Sequence, residues 1–256
     1  MKKIVSLNVN GIRAALRKGL EQWLNNFSPD IVCMQEIKAT TEQFDTSLFE
    51  NLGFNHFWFP AEKKGYSGVG VLSKVKPINI KYGCNIKTYD AEGRIIQLDF
   101  DSFTLVNVYV PSGSNMEKRL NFKLQFCEDF LSYIKELKNQ YPKLVISGDY
   151  NICHEEIDIH DPIRNAKVSG FLPIERKWLS RFMDECELID SFRHFNEEPH
   201  HYSWWSYRAN ARANNKGWRI DYNLVSKDLE YKLKNAYMLP DLYCSDHCPV
   251  VLEIND

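Results

Sequence analysis

Leu144-Val145-Ile146-Ser147-Gly148-Asp149-Tyr150-Asn151 is an apolar, β-branched run that ends in an acid and an amide. Residues 144–147 read as a strand, and the polar residues that follow stand where a rigid edge can present side chains to a cleft. The stretch has a faint echo near the start, Val5-Ser6-Leu7-Asn8-Val9-Asn10, again a strand that runs into paired polar residues. Two such layers imply two packed sheets.

Outward from these two runs, strands are predicted at 3–7, 30–34, 56–59, 68–72, 95–100, 104–110, 220–225 and 249–254. Helical patterns lie between some of them. Residues 12–27 carry Leu16, Leu20, Trp23 and Phe27 on one face and stop before Ser28-Pro29, where proline disfavours helix. Residues 117–139 repeat Leu120, Leu124, Cys127, Leu131 and Ile134 at spacings of four and three, with Pro142 just beyond. A third helix begins at Pro173, with Trp178, Phe182 and Cys186 four apart. No Gly/Ser/Pro linker, low-complexity tract or strong repeat divides the chain, so one α/β domain over 1–256 is expected.

The 256 residues, 44% of them hydrophobic, are ample for a buried core. A net charge of −2 and a pI near 6.4 exclude a protein that coats nucleic acid by bulk electrostatics, so any DNA surface must be a local patch. Residues 207–219 offer one, with Arg208, Arg212, Lys216 and Arg219 and no acid among them; a solvated loop is the alternative. The seven cysteines form no CxxC pair or zinc-spaced cluster and read as reduced, mostly buried thiols. No apolar run approaches the ~18 residues of a membrane span, so the expectation is a soluble, intracellular, cytoplasmic protein without a membrane partner.

Carboxylates and amides recur at strand ends. Glu36 follows Ile31-Val32-Cys33-Met34-Gln35, Asn8 ends the first strand, and Tyr109 sits near the end of another. Asp149 and Asn151 close the 144–147 strand, Asp221 lies in Arg219-Ile220-Asp221-Tyr222, and Asp246-His247 precede the last strand. Singly, such residues are more often turn formers, helix caps or structural histidines. As one constellation they supply the oxygens a hard cation such as Mg²⁺ prefers, which makes a phosphodiester the natural substrate. A metal on Glu36 would polarise the phosphate, Asp149 would take a proton from water, and His247 would donate hydrogen bonds to a phosphate oxygen. Asp221, if it bonds the other ring nitrogen, would fix the tautomer of His247.

The chain resembles the exonuclease III type of apurinic/apyrimidinic (AP) endonuclease, within the superfamily that includes DNase I. The resemblance runs nearly end to end, through Leu7-Asn8-Val9-Asn10-Gly11-Ile12-Arg13, Gln35-Glu36, Gly65-Tyr66-Ser67-Gly68-Val69-Gly70 and Glu92-Gly93-Arg94. It continues in Gly148-Asp149-Tyr150-Asn151, His154-Glu155-Glu156-Ile157-Asp158, Asp190-Ser191-Phe192-Arg193-His194, Gly217-Trp218-Arg219-Ile220-Asp221-Tyr222 and Ser245-Asp246-His247.

The resemblance implies a four-layer α/β sandwich, two mixed β-sheets packed face to face with helices outside. It implies hydrolysis of the phosphodiester 5′ to an abasic site in duplex DNA, leaving a 3′-OH, with 3′-phosphodiesterase and 3′-to-5′ exonuclease side activity. The partner would be double-stranded DNA with abasic sites or blocked 3′ ends, the cofactor Mg²⁺ with Mn²⁺ as substitute, and the default state a monomer. By the same resemblance Glu36 is the principal metal ligand and Asp246 a further one, with Asn8, Asn10, Asp149 and Asn151 beside them. Asp149 would activate the water, Asn8 would position it, Asn151 and Tyr109 would bind the scissile phosphate, and His247 with Asp221 would be the phosphate-binding pair. Trp204, Trp218 and Ile220 would line a pocket for the flipped-out baseless sugar, whose extrusion costs less than that of a paired nucleotide. Trp205 is assigned to the core. Arg13, Tyr66, Arg94, Lys167, Arg208 and Arg212 would contact DNA, as would Arg219, for which a carboxylate partner is the alternative.

Two positions depart from the family. Asn10 stands where some members carry Asp near the metal, which implies weaker metal binding, and Val168 stands where others place Asn in a DNA-contacting loop. The rival readings are another superfamily enzyme (an inositol-phosphate phosphatase, a sphingomyelinase or a non-specific nuclease) and a non-catalytic DNA-binding scaffold. The aromatics and arginines of 204–221 favour DNA over a lipid or sugar; the intact strand-end groups speak against the scaffold.

Overall fold

In the computed structural model, which describes residues 1–113 and 117–255, the two opening runs become central strands of different sheets. The first sheet has the order β11 (Leu233–Met238), β12 (Val250–Ile254), β1 (Lys2–Asn8), β2 (Ile31–Gln35), β4 (Val69–Ser73) and β3 (Asn55–Phe59). The second runs β5 (Asn79–Tyr82), β6 (Ile95–Asp99), β7 (Thr104–Tyr109), β8 (Leu144–Asp149), β10 (Asp221–Ser226) and β9 (Leu188–Asp190). Each sheet is antiparallel except for one central parallel pair, β1 with β2 and β7 with β8. A parallel pair needs a crossover, which the helices α1 (Ile12–Arg17) and α2 (Leu20–Phe27) provide in the first sheet. After α3 (Ser47–Asn51) and α4 (Lys87–Asp90), the 24-residue helix α5 (Glu117–Gln140) provides it in the second. The remaining helices are α6 (Pro162–Asn165), α7 (Pro173–Glu185) and α8 (Ser191–Phe195).

Three apolar layers explain why the central strands are apolar on both faces rather than alternating. Between the sheets, Ile4, Ile31, Cys33 and Val71 of one meet Ile96, Leu105, Val145 and Val225 of the other. Leu7, Val32 and Leu72 face Ile12, Leu20 and Leu24 on the outside of the first sheet. Val106, Ile146 and Leu224 face Phe126, Phe130, Ile134 and Phe182 of α5 and α7 outside the second. This is the expected four-layer sandwich. Near one end the sheets are also cross-linked by polar groups: Gln35 Nε2 donates to Asn107 Oδ1 at 2.8 Å, and Asn107 Nδ2 to the carbonyls of Met34 and Gly70.

One helix prediction is corrected. The 12–27 segment is two helices, because Lys18-Gly19 intervenes with Gly19 left-handed at φ 96°, a conformation the continuous apolar face does not reveal. All seven cysteines are free and only Cys84 is not fully buried. Among the described residues no helix is long and apolar enough to cross a membrane.

Candidate active site

The parallel pairs of both sheets end at the same edge of the sandwich. Tyr109 of β7 is in register with Asp149 of β8, which is in register with Asp221 of β10, so three candidate residues form one row across the second sheet. In the first sheet Asn8 is in register with Gln35, and Glu36 follows immediately. There the chain turns through left-handed residues: Asn10 (φ 43°), Glu36 (φ 53°), Lys38 (φ 51°) and, after β8, Asn151 (φ 53°). Asn tolerates this conformation, whereas for Glu36 it costs about 1–2 kcal/mol, a strain retained where the backbone must aim a side chain.

The two sheets are joined through Asn8. Its buried Nδ2 donates to Glu36 Oε1 at 2.9 Å and to Asp149 Oδ2 at 2.8 Å. Tyr109 Oη donates to the same Glu36 oxygen at 2.8 Å, and Lys38 Nζ lies 2.6 Å from Glu36 Oε2 while also donating to Asn10 Oδ1. Burial alone would push the Glu36 carboxyl up, but Lys38, Asn8 and Tyr109 together hold it below its ordinary value. Burial, reinforced by Glu36 and Asp149, pushes the Tyr109 phenol well above its own, so it stays a neutral donor. Asn10 Nδ2 donates to Asp246 Oδ1 at 2.9 Å and Trp204 Nε1 to Asp246 Oδ2 at 3.0 Å; with His247 they outweigh burial and hold Asp246 low.

His247 Nδ1 lies 2.8 Å from Asp221 Oδ2. Although burial opposes its charge, Asp221, with Asp149 and Asp246, raises His247 to about 10, so the ring is a cation with its Nδ1–H on Asp221. Asp149 moves the same way: burial and the nearby charge of Asp221, with Glu36, push it up to about 8 against the opposing effect of His247. Ligand atoms of Asp149, Asp221 and His247 lie within 4.8 Å of one another. A protonated imidazole is no metal ligand, so the positive charge in that cluster is already present.

The oxygens around Glu36 are a different matter. There Lys38, with its side chain 31% exposed, brings an ammonium to Glu36 Oε2 and Asn10 Oδ1, so these oxygens are already arranged around a positive charge. A hard divalent cation matches this donor set of carboxylates and amide oxygens.

A cavity of about 310 Å³ opens beside these groups, lined by Glu36, Tyr109, Asn151, Asp246 and His247 together with Trp204, Trp218, Ile220 and the 168–170 loop. Trp204 and Trp218 pack edge to face at 5.9 Å over Cys153, Ile159 and Phe171. Trp205 is buried away from the cavity, against Tyr202 and Ala211. A larger groove of about 460 Å³ between α5 and α7 contains none of the strand-end groups.

The basic residues divide. Arg13, Lys167 and Arg208 are exposed, and Tyr66 is half-buried with its hydroxyl donating to Glu92 at 3.3 Å. Arg94 corrects the expectation of a DNA contact: it is 1% exposed, bonded to Glu92 and the Tyr109 carbonyl, with its guanidinium 4.8 Å from the Tyr109 ring centroid. Arg212 is half-buried. Its terminal nitrogens donate to the carbonyls of Ser245, Pro240 and Leu242, and it stacks on Trp205 and Tyr243. Arg219 is buried between Asp158 and Asp190, the carboxylate alternative with partners other than Asp221. Sequence reasoning passed over Lys38, two residues beyond Glu36, and Ser112, Ser169 and Gly170 of the cavity wall. It also missed Ser203, whose hydroxyl donates to Asp221 Oδ2 at 2.6 Å. Lys38 and Ser112 follow strand ends closely, a signal that finds them; Ser169 and Gly170 lie in a loop that carries none.

The model of the Endonuclease/Exonuclease/phosphatase family matches residues 5–247. An exodeoxyribonuclease of Bacillus subtilis (strain 168) is 41% identical over 255 residues, 99% of both chains. The DNA repair nuclease APEX1 of Danio rerio is 38% identical over 98% of this chain and 81% of its own. Among solved structures, an AP endonuclease from Archaeoglobus fulgidus superposes with a TM-score of 0.92 at 27% identity over the whole of both chains. A 3′ phosphatase from Neisseria, bound to a product DNA hairpin, does so equally.

Proposed function

The chain belongs to the endonuclease/exonuclease/phosphatase family, and on that premise we propose that it is a DNA-repair phosphodiesterase of the AP endonuclease type, with residues 1–256 as one catalytic unit. It cuts duplex DNA 5′ to an abasic site, leaves a 3′-OH, and trims blocked 3′ ends as a side activity. The observation that carries this reading is that one cavity joins the phosphate-handling groups to a small apolar recess walled by Trp204, Trp218 and Ile220. A phosphatase for inositol or lipid head groups has no use for that recess. A sugar without its base fills it.

Glu36, with Asp246 and the amides of Asn8 and Asn10, would hold the divalent cation, which we take to be Mg²⁺ with Mn²⁺ as substitute. When bound it supplies Lewis acidity to the phosphate and charge stabilisation to the leaving oxygen. The chain does the rest. Asp149, in its ionised form and with Oδ2 accepting from Asn8, orients the water and takes its proton. The His247 cation, fixed through Nδ1 by Asp221, turns Nε2–H toward the phosphate, where negative charge grows. Asn151, its backbone amide on Asp149 Oδ1 at 2.8 Å, and the neutral Tyr109 hydroxyl, which turns from Glu36 to do so, complete the donors to the phosphate.

The test is incision of a labelled duplex with one abasic-site analogue, with and without EDTA. Metal-dependent cutting 5′ to the lesion is expected, about 10²–10⁴-fold slower in Asp149→Asn, the range that loss of a general base produces. A lesion duplex left intact under Mg²⁺ and Mn²⁺, while a phosphoinositide or an undamaged strand is cleaved, would refute the abasic reading.

A further inference from the structure

Lys123 of α5 and Glu175 in the first turn of α7 are both completely buried, and their charged groups are in contact. Removing two charges from water is expensive, and such a pair adds little stability over apolar residues of the same volume. What the pair holds suggests a different use. The Lys123 ammonium donates to the carbonyl of Asn151 at 2.8 Å, just past the end of β8. Glu175 Oε1 also accepts from Ser169 Oγ at 3.0 Å, and Oε2 accepts from the amides of Gly170 at 2.6 Å and Leu172 at 3.0 Å. One buried ion pair therefore ties the catalytic strand end to the loop that forms a wall of the cavity.

That wall has no slack. A Cβ added at Gly170 (φ +99°) would lie 2.8 Å from Trp218 Cζ3 and 3.2 Å from the Asn151 carbonyl oxygen. The loop is thus seated between the indole that walls the recess and the residue that binds the phosphate. Its placement depends on a carboxylate. Glu175 accepts from donors on both oxygens, whereas glutamine has one acceptor oxygen and must turn an NH₂ toward either the ammonium or the two amides.

We propose that the Lys123–Glu175 pair is a positioning device that fixes the 168–170 loop against Trp218 in the wall of the recess, and thereby sets the preference for a baseless sugar over an intact nucleotide. The inference rests on the abasic reading above. It makes Lys123 and Glu175 specificity-determining residues that touch neither substrate nor reacting atoms.

The experiment compares wild type, Glu175→Gln and the charge-neutral Lys123→Met/Glu175→Gln in Mg²⁺, with melting temperature recorded for each. For each protein kcat and KM are measured on an abasic duplex and on removal of an intact 3′ nucleotide. The abasic-to-intact ratio of kcat/KM is expected to fall about tenfold, the scale on which a pocket discriminates a small difference in size. The fall should come from a higher KM for the abasic duplex and better use of the intact end. Ser169→Ala, which leaves both charges paired, should move the ratio the same way by about threefold, and decides the matter if the ion-pair variants do not fold. Folded variants whose ratio stays within about twofold of wild type, or whose two activities fall in parallel, overturn the proposal. A wild type with no preference for the abasic duplex defeats the functional reading first, and is distinguished by appearing before any substitution.

Discussion

Asp221 Oδ2 accepts two hydrogen bonds, from Ser203 Oγ and from His247 Nδ1, in a site with almost no solvent. The pair makes a pH dependence that can be measured without substrate. The folded-state value of about 10 for His247 lies above its ordinary 6.5, so the cation stabilises the fold fully below pH 6.5 and that contribution is lost as pH rises through about 10. Asp149, raised to about 8, contributes with the same sign over a lower window: its neutral form favours the fold below 3.8 and ceases to by about 8. The gap in melting temperature between wild type and His247→Gln is therefore expected to be widest near pH 6 and to close toward pH 10. A gap that stays constant over that range would show that the ring is not held as a cation. At this scale the sequence reading singled out Glu36, Tyr109, Asp149, Asp221 and His247 by their places near strand ends, and the fold brings them into one hydrogen-bonded cluster. Arg94, which the resemblance put against DNA, is instead buried, because Glu92 and the Tyr109 carbonyl take its donors and the Tyr109 ring its face.

Nine strands were legible as elements, and the three that were not have a common reason. β5, β9 and β11 are edge strands, and β5 and β11 are mostly half-buried or exposed. β3 is an edge strand too but is marked by Phe57-Trp58-Phe59, whereas the other three are short or interrupted by polar residues, so their pairing is decided by the sheet beside them. Central strands carry the opposite constraint. Gly148 of β8 has no room for a side chain, because an added Cβ would lie 2.1 Å from the Val108 carbonyl oxygen of β7. Gly148→Ala must push apart the parallel pair that aligns Tyr109 with Asp149. It is expected to destabilise the protein by about 1–3 kcal/mol or more, read as a lower denaturant midpoint, and to lower incision even where the protein remains folded. Full activity in this variant would show that the β7–β8 spacing does not set the site.

Over the whole molecule, a net charge of −2 must be reconciled with a polyanionic substrate. The basic residues expected to face DNA fall into two groups once their partners are known. Arg13, Lys167 and Arg208 are exposed, whereas Arg94 and Arg212 are committed to internal contacts. Each phosphate neutralised by the protein releases condensed counterions, so log K for the abasic duplex should fall linearly with log salt, with a slope of about −0.9 per phosphate contact. Arg13→Ala, Lys167→Ala and Arg208→Ala are each expected to make that slope shallower by about 1 while leaving the melting temperature near wild type. Arg94→Ala and Arg212→Ala should do the reverse, lowering the melting temperature with the salt slope unchanged, because what they lose is packing and backbone hydrogen bonds. If Arg94→Ala flattened the slope at constant stability, its guanidinium would have to leave Glu92 and the Tyr109 carbonyl on binding DNA, and the site would have to rearrange around its substrate.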